Sequence, residues 1–217
     1  MTADPAHIPD VANPLSPLEP QALTKPKLLV GEGKEEVFFF EALLKHINIV
    51  DVQLEQSKGK TKLHDYVATL PKRPGFANLT SVAITRDADD DAHTAFQSVC
   101  ASLQNADLAP PQANGTFSAG EPRIGIFILP DCHQNGMLED LCLASVTADL
   151  AMPCVDDFIR CVEQKGRQPS NRAKARVHAW LASHIVPDKR LGEAALAGYW
   201  DWDSTAFDLL KRFLHQL

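Results

Sequence analysis

Lys27-Leu28-Leu29-Val30-Gly31-Glu32-Gly33-Lys34-Glu35-Glu36 decides the fold class of this chain. Its first four residues form a short apolar run of the kind buried on both faces of a parallel sheet. From Glu35 to Ile47 the period becomes helical, with Val37, Phe40, Leu44 and Ile47 on one stripe and Glu41 and Lys45 off it. A strand that passes through a glycine turn into a helix is the opening of a βαβ unit. Working outward, Ile49 to Val52 reads as a second strand, followed by a helix from Lys62 to Leu70 that Pro71 and Pro74 stop. Ser81 to Ile84 is a third strand, and the helix after it places Phe96, Val99, Cys100 and Leu103 on one face. Ile124 to Leu129 is a fourth, breaking at Pro130-Asp131 and leading through Asn135-Gly136 into a helix near Met137. Beyond Pro153 only helices are expected, over 155–164, 170–184, 191–197 and 204–217, with Ser170 and Ser204 as N-caps. The fold class is therefore α/β, a parallel sheet of about four strands flanked by helices, with a helical C-terminal region. Three segments follow: a Pro-rich flexible arm over 1–26, an α/β core over 27–150, and a helical extension over 151–217 packed on that core.

Bulk properties narrow the functional classes. The chain has 217 residues, 45% of them hydrophobic, enough for one substantial core. No apolar run approaches the eighteen or so residues a membrane span needs. The first residues lack the basic region and apolar stretch of a signal peptide, so a cytoplasmic location is expected. Five cysteines, Cys100, Cys132, Cys142, Cys154 and Cys161, include no C-x-x-C pair and read as reduced thiols. Cys132, His133 and Cys142 lack a fourth partner for zinc. A net charge of −7 argues against indiscriminate binding to phosphate backbones. Between Lys165 and Arg190, however, seven Lys or Arg stand against one acid, a stretch that reads either as a solvated helix face or as a grip on phosphates.

Acidic residues gather at strand ends. Glu32 follows the first strand and Arg86-Asp87-Ala88-Asp89-Asp90-Asp91 follows the third, at the carboxyl edge where α/β sheets bind ligands. If the strand order is 2-1-3-4, Glu32, Asp87 and Asp89 converge there, and the fourth strand brings Asp131 and Glu139 close. Mutually repelling carboxylates in one crevice are costly without a cation, and oxygen ligands suit Mg²⁺ or Mn²⁺. Other readings fit the spacing less well. Ala92 and Ser98 stand where a calcium loop needs glycine and glutamate. Gly31-Glu32-Gly33-Lys34 lacks the spacing and hydroxyl residue of a P-loop. An aspartyl phosphatase using Asp87 and Asp89 leaves Glu32 without a role.

Val30-Gly31-Glu32-Gly33-Lys34 before a Phe-rich helix, Arg86 to Asp91, Pro130-Asp131 and Gly136-Met137-Leu138-Glu139-Asp140 resemble the DUF3226 family, as does Ala197-Gly198-Tyr199-Trp200. That family is in turn similar to the Toprim catalytic domain of topoisomerases, primases and OLD-type nucleases. The resemblance implies a Toprim-like, Rossmannoid core in which Glu32 is a general acid/base or metal ligand and Asp87 and Asp89 bind Mg²⁺ or Mn²⁺. It further implies that Glu139 serves a second metal and that Lys174 or Lys189 supplies a catalytic lysine. The expected site is thus Glu32, Glu139 and Lys174 for catalysis, with Glu32, Asp87, Asp89 and Asp131 for metal. The implied activity is a divalent-metal-dependent nuclease or related phosphodiester-transfer enzyme acting on nucleic acid, with a separately encoded ATPase as a partner. The alternative is a non-catalytic module that binds metal or a protein partner.

Overall fold

The computed structural model describes residues 22–217. Most of the expected proline-rich arm therefore lies outside the described residues. Its last part, residues 22–26, packs on the body: Leu23 is buried and its backbone N–H donates to the Pro74 carbonyl at 2.9 Å.

Four parallel strands, β1 (Lys27–Gly31), β2 (Val52–Gln56), β3 (Ser81–Asp87) and β4 (Arg123–Leu129), form one sheet in the order β2-β1-β3-β4. Lys27 is in register with Val52 on one side and Ser81 on the other, and Ser81 with Arg123. The second strand begins where its expected span ended, because Val50 is exposed and Val52 is the residue whose side chain enters the core.

Helices cover both faces, which explains why β1, β3 and β4 are apolar along their length. On one face lie α1 (Lys34–His46), α4 (Leu138–Ser145), α5 (Met152–Gln164), α6 (Arg172–Leu181), α7 (Leu191–Leu196) and α8 (Asp208–Leu214). Their shared core includes Phe39, Phe40, Phe127, Trp180, Phe207 and Phe213. On the other lie α2 (Leu63–Thr69) and α3 (Ala92–Gln104), burying Val67, Phe96, Val99 and Leu103 against Val82, Ile84 and Ile126. Removing one such fully enclosed ring, as in Phe39→Ala, costs about 3–5 kcal/mol.

Local chemistry sets the helix starts. Asp91 caps α3, accepting from the Thr94 N–H at 3.0 Å, so Asp91 serves the helix start. Asn171, not the expected Ser170, caps α6 by accepting from the Lys174 N–H at 2.8 Å, since Asn171 holds the extended backbone that immediately precedes the first turn. Ser204 caps a short 3-10 turn (Thr205–Phe207) that runs into α8.

Candidate metal centre

Strand order reverses between β1 and β3, so their carboxyl ends border the crevice that this topology leaves open. Glu32 stands just past β1 and Asp87 closes β3. A third carboxylate joins them from the first turn of α1. Glu36 is buried, and one oxygen from each of Glu32, Glu36 and Asp87 lies within 4.8 Å of the others.

Backbone and side-chain contacts fix this triangle. Glu36 Oε2 accepts from the Glu32 N–H at 2.9 Å and from the Thr85 hydroxyl at 3.2 Å. A Cβ on Gly31 would meet Glu36 Cβ at 3.0 Å and Oε2 at 3.1 Å, so the glycine at 31 makes room for the Glu36 carboxylate. Asp87 Oδ1 accepts from the Leu138 N–H at 2.9 Å, which ties β3 to the start of α4. The segment before α4 is held by a reciprocal pair, Asp89 N–H to the Gly136 carbonyl and Gly136 N–H to the Asp89 carbonyl, each 2.9 Å. Gly136 has φ 134°, and a Cβ there would lie 2.7 Å from Asp140 Oδ2, the oxygen that caps Met137 N–H.

The electrostatics are those of crowded carboxylates, with Lys60 at their rim. Burial first, then the charges of Asp87 and Glu32, push Glu36 well above the usual carboxylate range. Burial pushes Asp87 up to about 7, with Glu139, Glu32 and Asp89 adding repulsion against the opposing Leu138 hydrogen bond. Glu32 Oε2 is buried and accepts no hydrogen bond among the described residues. An orphaned carboxylate oxygen facing two further carboxylates has the donor chemistry that a hard divalent cation satisfies. The residues present therefore fit a divalent metal, which Glu32, Glu36 and Asp87 would hold.

The other expected site residues take different places. Asp89 is adjacent, with left-handed backbone (φ 52°), but its carboxylate pairs with Lys60 Nζ at 2.9 Å. Glu139, half-buried at the first turn of α4, is near enough to Asp87 to raise it, and its own carboxyl is raised by burial. Lys174 Nζ lies 3.8 Å from Glu139 Oε1, and the two help line a cavity of about 370 Å³ with Glu35, His178 and Arg190. Asp131 is engaged by its own turn: Oδ1 accepts from the His133 and Gln134 N–H groups at 3.0 and 2.7 Å, and Oδ2 from Gln134 Nε2 at 2.7 Å. Those bonds hold Asp131 below its ordinary range despite partial burial, and it is not part of the carboxylate triangle. The basic stretch after Lys165 is partly neutralised internally, Arg172 by Glu163 at 3.0 Å, Arg176 by Asp156 at 2.8 Å and Lys174 by Glu139.

Glu36 is the ligand candidate that the strand-end reading missed. A glutamate in the first helical turn reads as favourable to the helix dipole and solvated. The signal lay in spacing: 36, 40 and 44 are one stripe, so Glu36 heads the same buried row as Phe40 and Leu44.

Together the fold and the site define an α/β protein with a doubly wound parallel sheet and a buried carboxylate cluster at its topological switch point. The family model described as "Protein of unknown function (DUF3226)" matches residues 26–217, and the chain belongs to that family. Among solved structures, the chain is similar to the C-terminal region of the Burkholderia pseudomallei OLD protein, with 14% identity, 89% of this chain and 99% of that chain covered, and a TM-score of 0.44. It is similar also to the C-terminal region of the Xanthomonas campestris pv. campestris OLD protein, with 16% identity, coverage of 87% and 80%, and a TM-score of 0.39. No curated protein matches the chain. No helix among the described residues is long and apolar enough to cross a membrane.

Proposed function

We propose that this protein is a Toprim-like, divalent-metal-dependent nuclease or related phosphodiester-transfer enzyme, using Mg²⁺ or Mn²⁺ at Glu32, Glu36 and Asp87. The observation that carries this reading is that one oxygen from each of Glu32, Glu36 and Asp87 lies within 4.8 Å of the others, while Glu32 Oε2 is buried without a hydrogen-bond partner among the described residues. A bound cation would supply Lewis-acid stabilisation of charge on phosphoryl oxygens and a more acidic water.

The chain's own residues do the rest. Leu138 N–H and Thr85 hold the Asp87 and Glu36 carboxylates in fixed orientations, so little reorganisation accompanies binding. Glu139, raised by burial and kept in reach of Asp87, is placed to give or take a proton at the edge of the cluster. Lys174 positions it and favours its charged form. Lys60, paired with Asp89, brings a cation to the carboxylate rim where a phosphate would approach.

A second reading, a metal-binding module without catalysis that acts on a protein partner, is favoured by the internal neutralisation of Arg172, Lys174 and Arg176. Incubation of the protein with single- and double-stranded DNA and RNA in Mg²⁺ or Mn²⁺, beside Glu32→Gln and Asp87→Ala, separates the two. Metal-dependent cleavage lost in both variants supports the enzyme. Metal binding without cleavage of any strand supports the module.

A further inference from the structure

A groove of about 750 Å³ opens along the upper half of the edge strand β2, and its lining includes Lys34, two residues past Glu32. The loop that carries its rim is bonded to the cluster's own backbone: Ser57 N–H donates to the Gly31 carbonyl at 2.9 Å and Gly59 N–H to the Glu32 carbonyl at 2.8 Å. The lower half of β2 is covered differently. Thr24 N–H donates to Gln53 Oε1 at 2.8 Å, and Lys25 Nζ donates to the Val50 and Val52 carbonyls at 3.0 Å each. The chain thus closes its sheet edge at the bottom and leaves it open next to the site.

The groove has an apolar floor and a cationic rim. Val37 and Leu54 line it with the ring of Tyr66, whose orientation is fixed by its hydroxyl donating to Glu55 Oε2 at 2.5 Å. Glu55 is itself neutralised by Arg73 at 2.6 Å, and Lys62 is shared with Asp65 at 3.6 Å. Lys34 and Lys58 line the groove without a carboxylate partner among the described residues, and the Lys34 ammonium lies over the Phe38 ring, 5.0 Å from its centre. Lys34 lies two residues past Glu32 and Lys58 immediately before Gly59, so both charges stand on segments tied to the cluster.

A groove of this volume is of the size that holds a small organic ligand. An apolar lining with a fixed aromatic ring, beside two ammonium groups that no carboxylate neutralises, is complementary to a base with its phosphates, the pairing by which single strands are held. A duplex cannot lay the face of a base on such a surface without unstacking it. Resting on the nuclease reading above, we infer that this groove takes one unpaired nucleotide next to the bond brought to the carboxylates, its base on Val37, Leu54 and Tyr66 and its phosphates toward Lys34 and Lys58. The substrate class is then single-stranded nucleic acid or a duplex with an unpaired end.

Fluorescence anisotropy of the full chain with a labelled oligonucleotide tests this, using the single strand, its blunt duplex, and single strands with one abasic position walked along the sequence. The single strand should bind about tenfold more tightly than the duplex, and one abasic position should cost about tenfold, the worth of a lost stacked base. In Val37→Asp, which sets a charge on the apolar lining and offers no ring to stack on, the abasic penalty should vanish. In the double variant Lys34→Glu/Lys58→Glu the slope of log affinity against log salt should fall by about 1.4, since each phosphate contact to a single strand counts about 0.7. Unchanged Mn²⁺ affinity in these variants shows that the cluster is intact. Equal affinity for strand and duplex, a flat abasic profile, or an unchanged salt slope overturns the inference. Cleavage by wild type together with a flat abasic profile sinks the groove and keeps the nuclease. Position-dependent binding without cleavage in Mn²⁺ keeps the groove and sinks the nuclease.

Discussion

Two buried carboxylate sites border the same end of the sheet, and they are built in opposite ways. At Glu55 every need is met: Arg73 Nη1 and Nη2 donate at 2.6 and 2.8 Å, Tyr66 at 2.5 Å and Gln53 Nε2 at 2.6 Å. Burial works against the Glu55 charge, but these hydrogen bonds outweigh it and hold its carboxyl below the usual range. Burial and the bond to Glu55 push the Tyr66 hydroxyl above its usual value, so it stays a donor. At Glu32, Glu36 and Asp87 three acids face one another, one oxygen has no partner, and both Glu36 and Asp87 are raised. A completed network serves the fold, whereas crowded carboxylates with an orphaned oxygen are the chemistry a cation would satisfy.

Breaking each site should have different consequences. Substituting Glu32→Gln or Asp87→Ala should lower metal-dependent cleavage by roughly a thousandfold or more, as expected when several kcal/mol of charge stabilisation are removed. Initial rates on a labelled oligonucleotide measure this, and in Glu32→Gln the melting temperature should not fall. Arg73→Met should do the reverse. It leaves Glu55 buried without its cation and should cost about 3–5 kcal/mol of stability by denaturant titration, with metal affinity unchanged. The double variant Arg73→Met/Glu55→Gln should recover much of that loss.

The two sites also respond to pH with opposite sign. Glu55 is lowered in the folded state, so its contribution is present above the unfolded carboxylate value and is lost as pH falls through the still lower folded one. Asp87 is raised from 3.8 to about 7, so its contribution is present below the unfolded value and is lost as pH rises toward 7. In EDTA, the melting temperature of Asp87→Asn minus that of wild type should therefore grow between about pH 4 and 7 and level off above it. A flat difference would mean that Asp87 is not strained by its neighbours.

The smallest effects sharpen the boundary of the cluster. Lys174→Ala frees Glu139 from its cation and should slow cleavage by about tenfold, the usual scale for a positioning contact. Asp131→Asn, in a turn that already satisfies both carboxylate oxygens, should leave Mn²⁺ affinity within about twofold.

Sequence alone carried the architecture further than the site. Apolar runs at 27–30, 81–84 and 124–129 and the helix-period stretches between them sufficed for a parallel sheet, because strands covered on both faces have little choice of residue. The order 2-1-3-4 entered only as a condition, and it is the order the structure has. The second strand slipped because Ile49 and Val50 are as apolar as Val52 but lie before the sheet edge, where Val50 faces outward. The approach of Glu32 and Asp87 to one another was legible from their position after strands. Asp89 and Asp131 carry the same letters at equivalent offsets, yet Lys60 and the 131–134 turn engage them, contacts that no spacing rule encodes. Glu36 was hidden for the opposite reason, since an acid in a first helical turn has an ordinary local explanation that conceals its burial.

Calorimetric titration of Mn²⁺ into metal-free wild type and Glu36→Gln tests the central claim most directly. Gln at 36 keeps an oxygen to accept from the Glu32 N–H and removes only the charge. Wild type should bind Mn²⁺, and Glu36→Gln should bind it at least about tenfold more weakly with its fold intact. Equal affinity in the two proteins, or no binding by wild type, would contradict a metal centre at Glu32, Glu36 and Asp87.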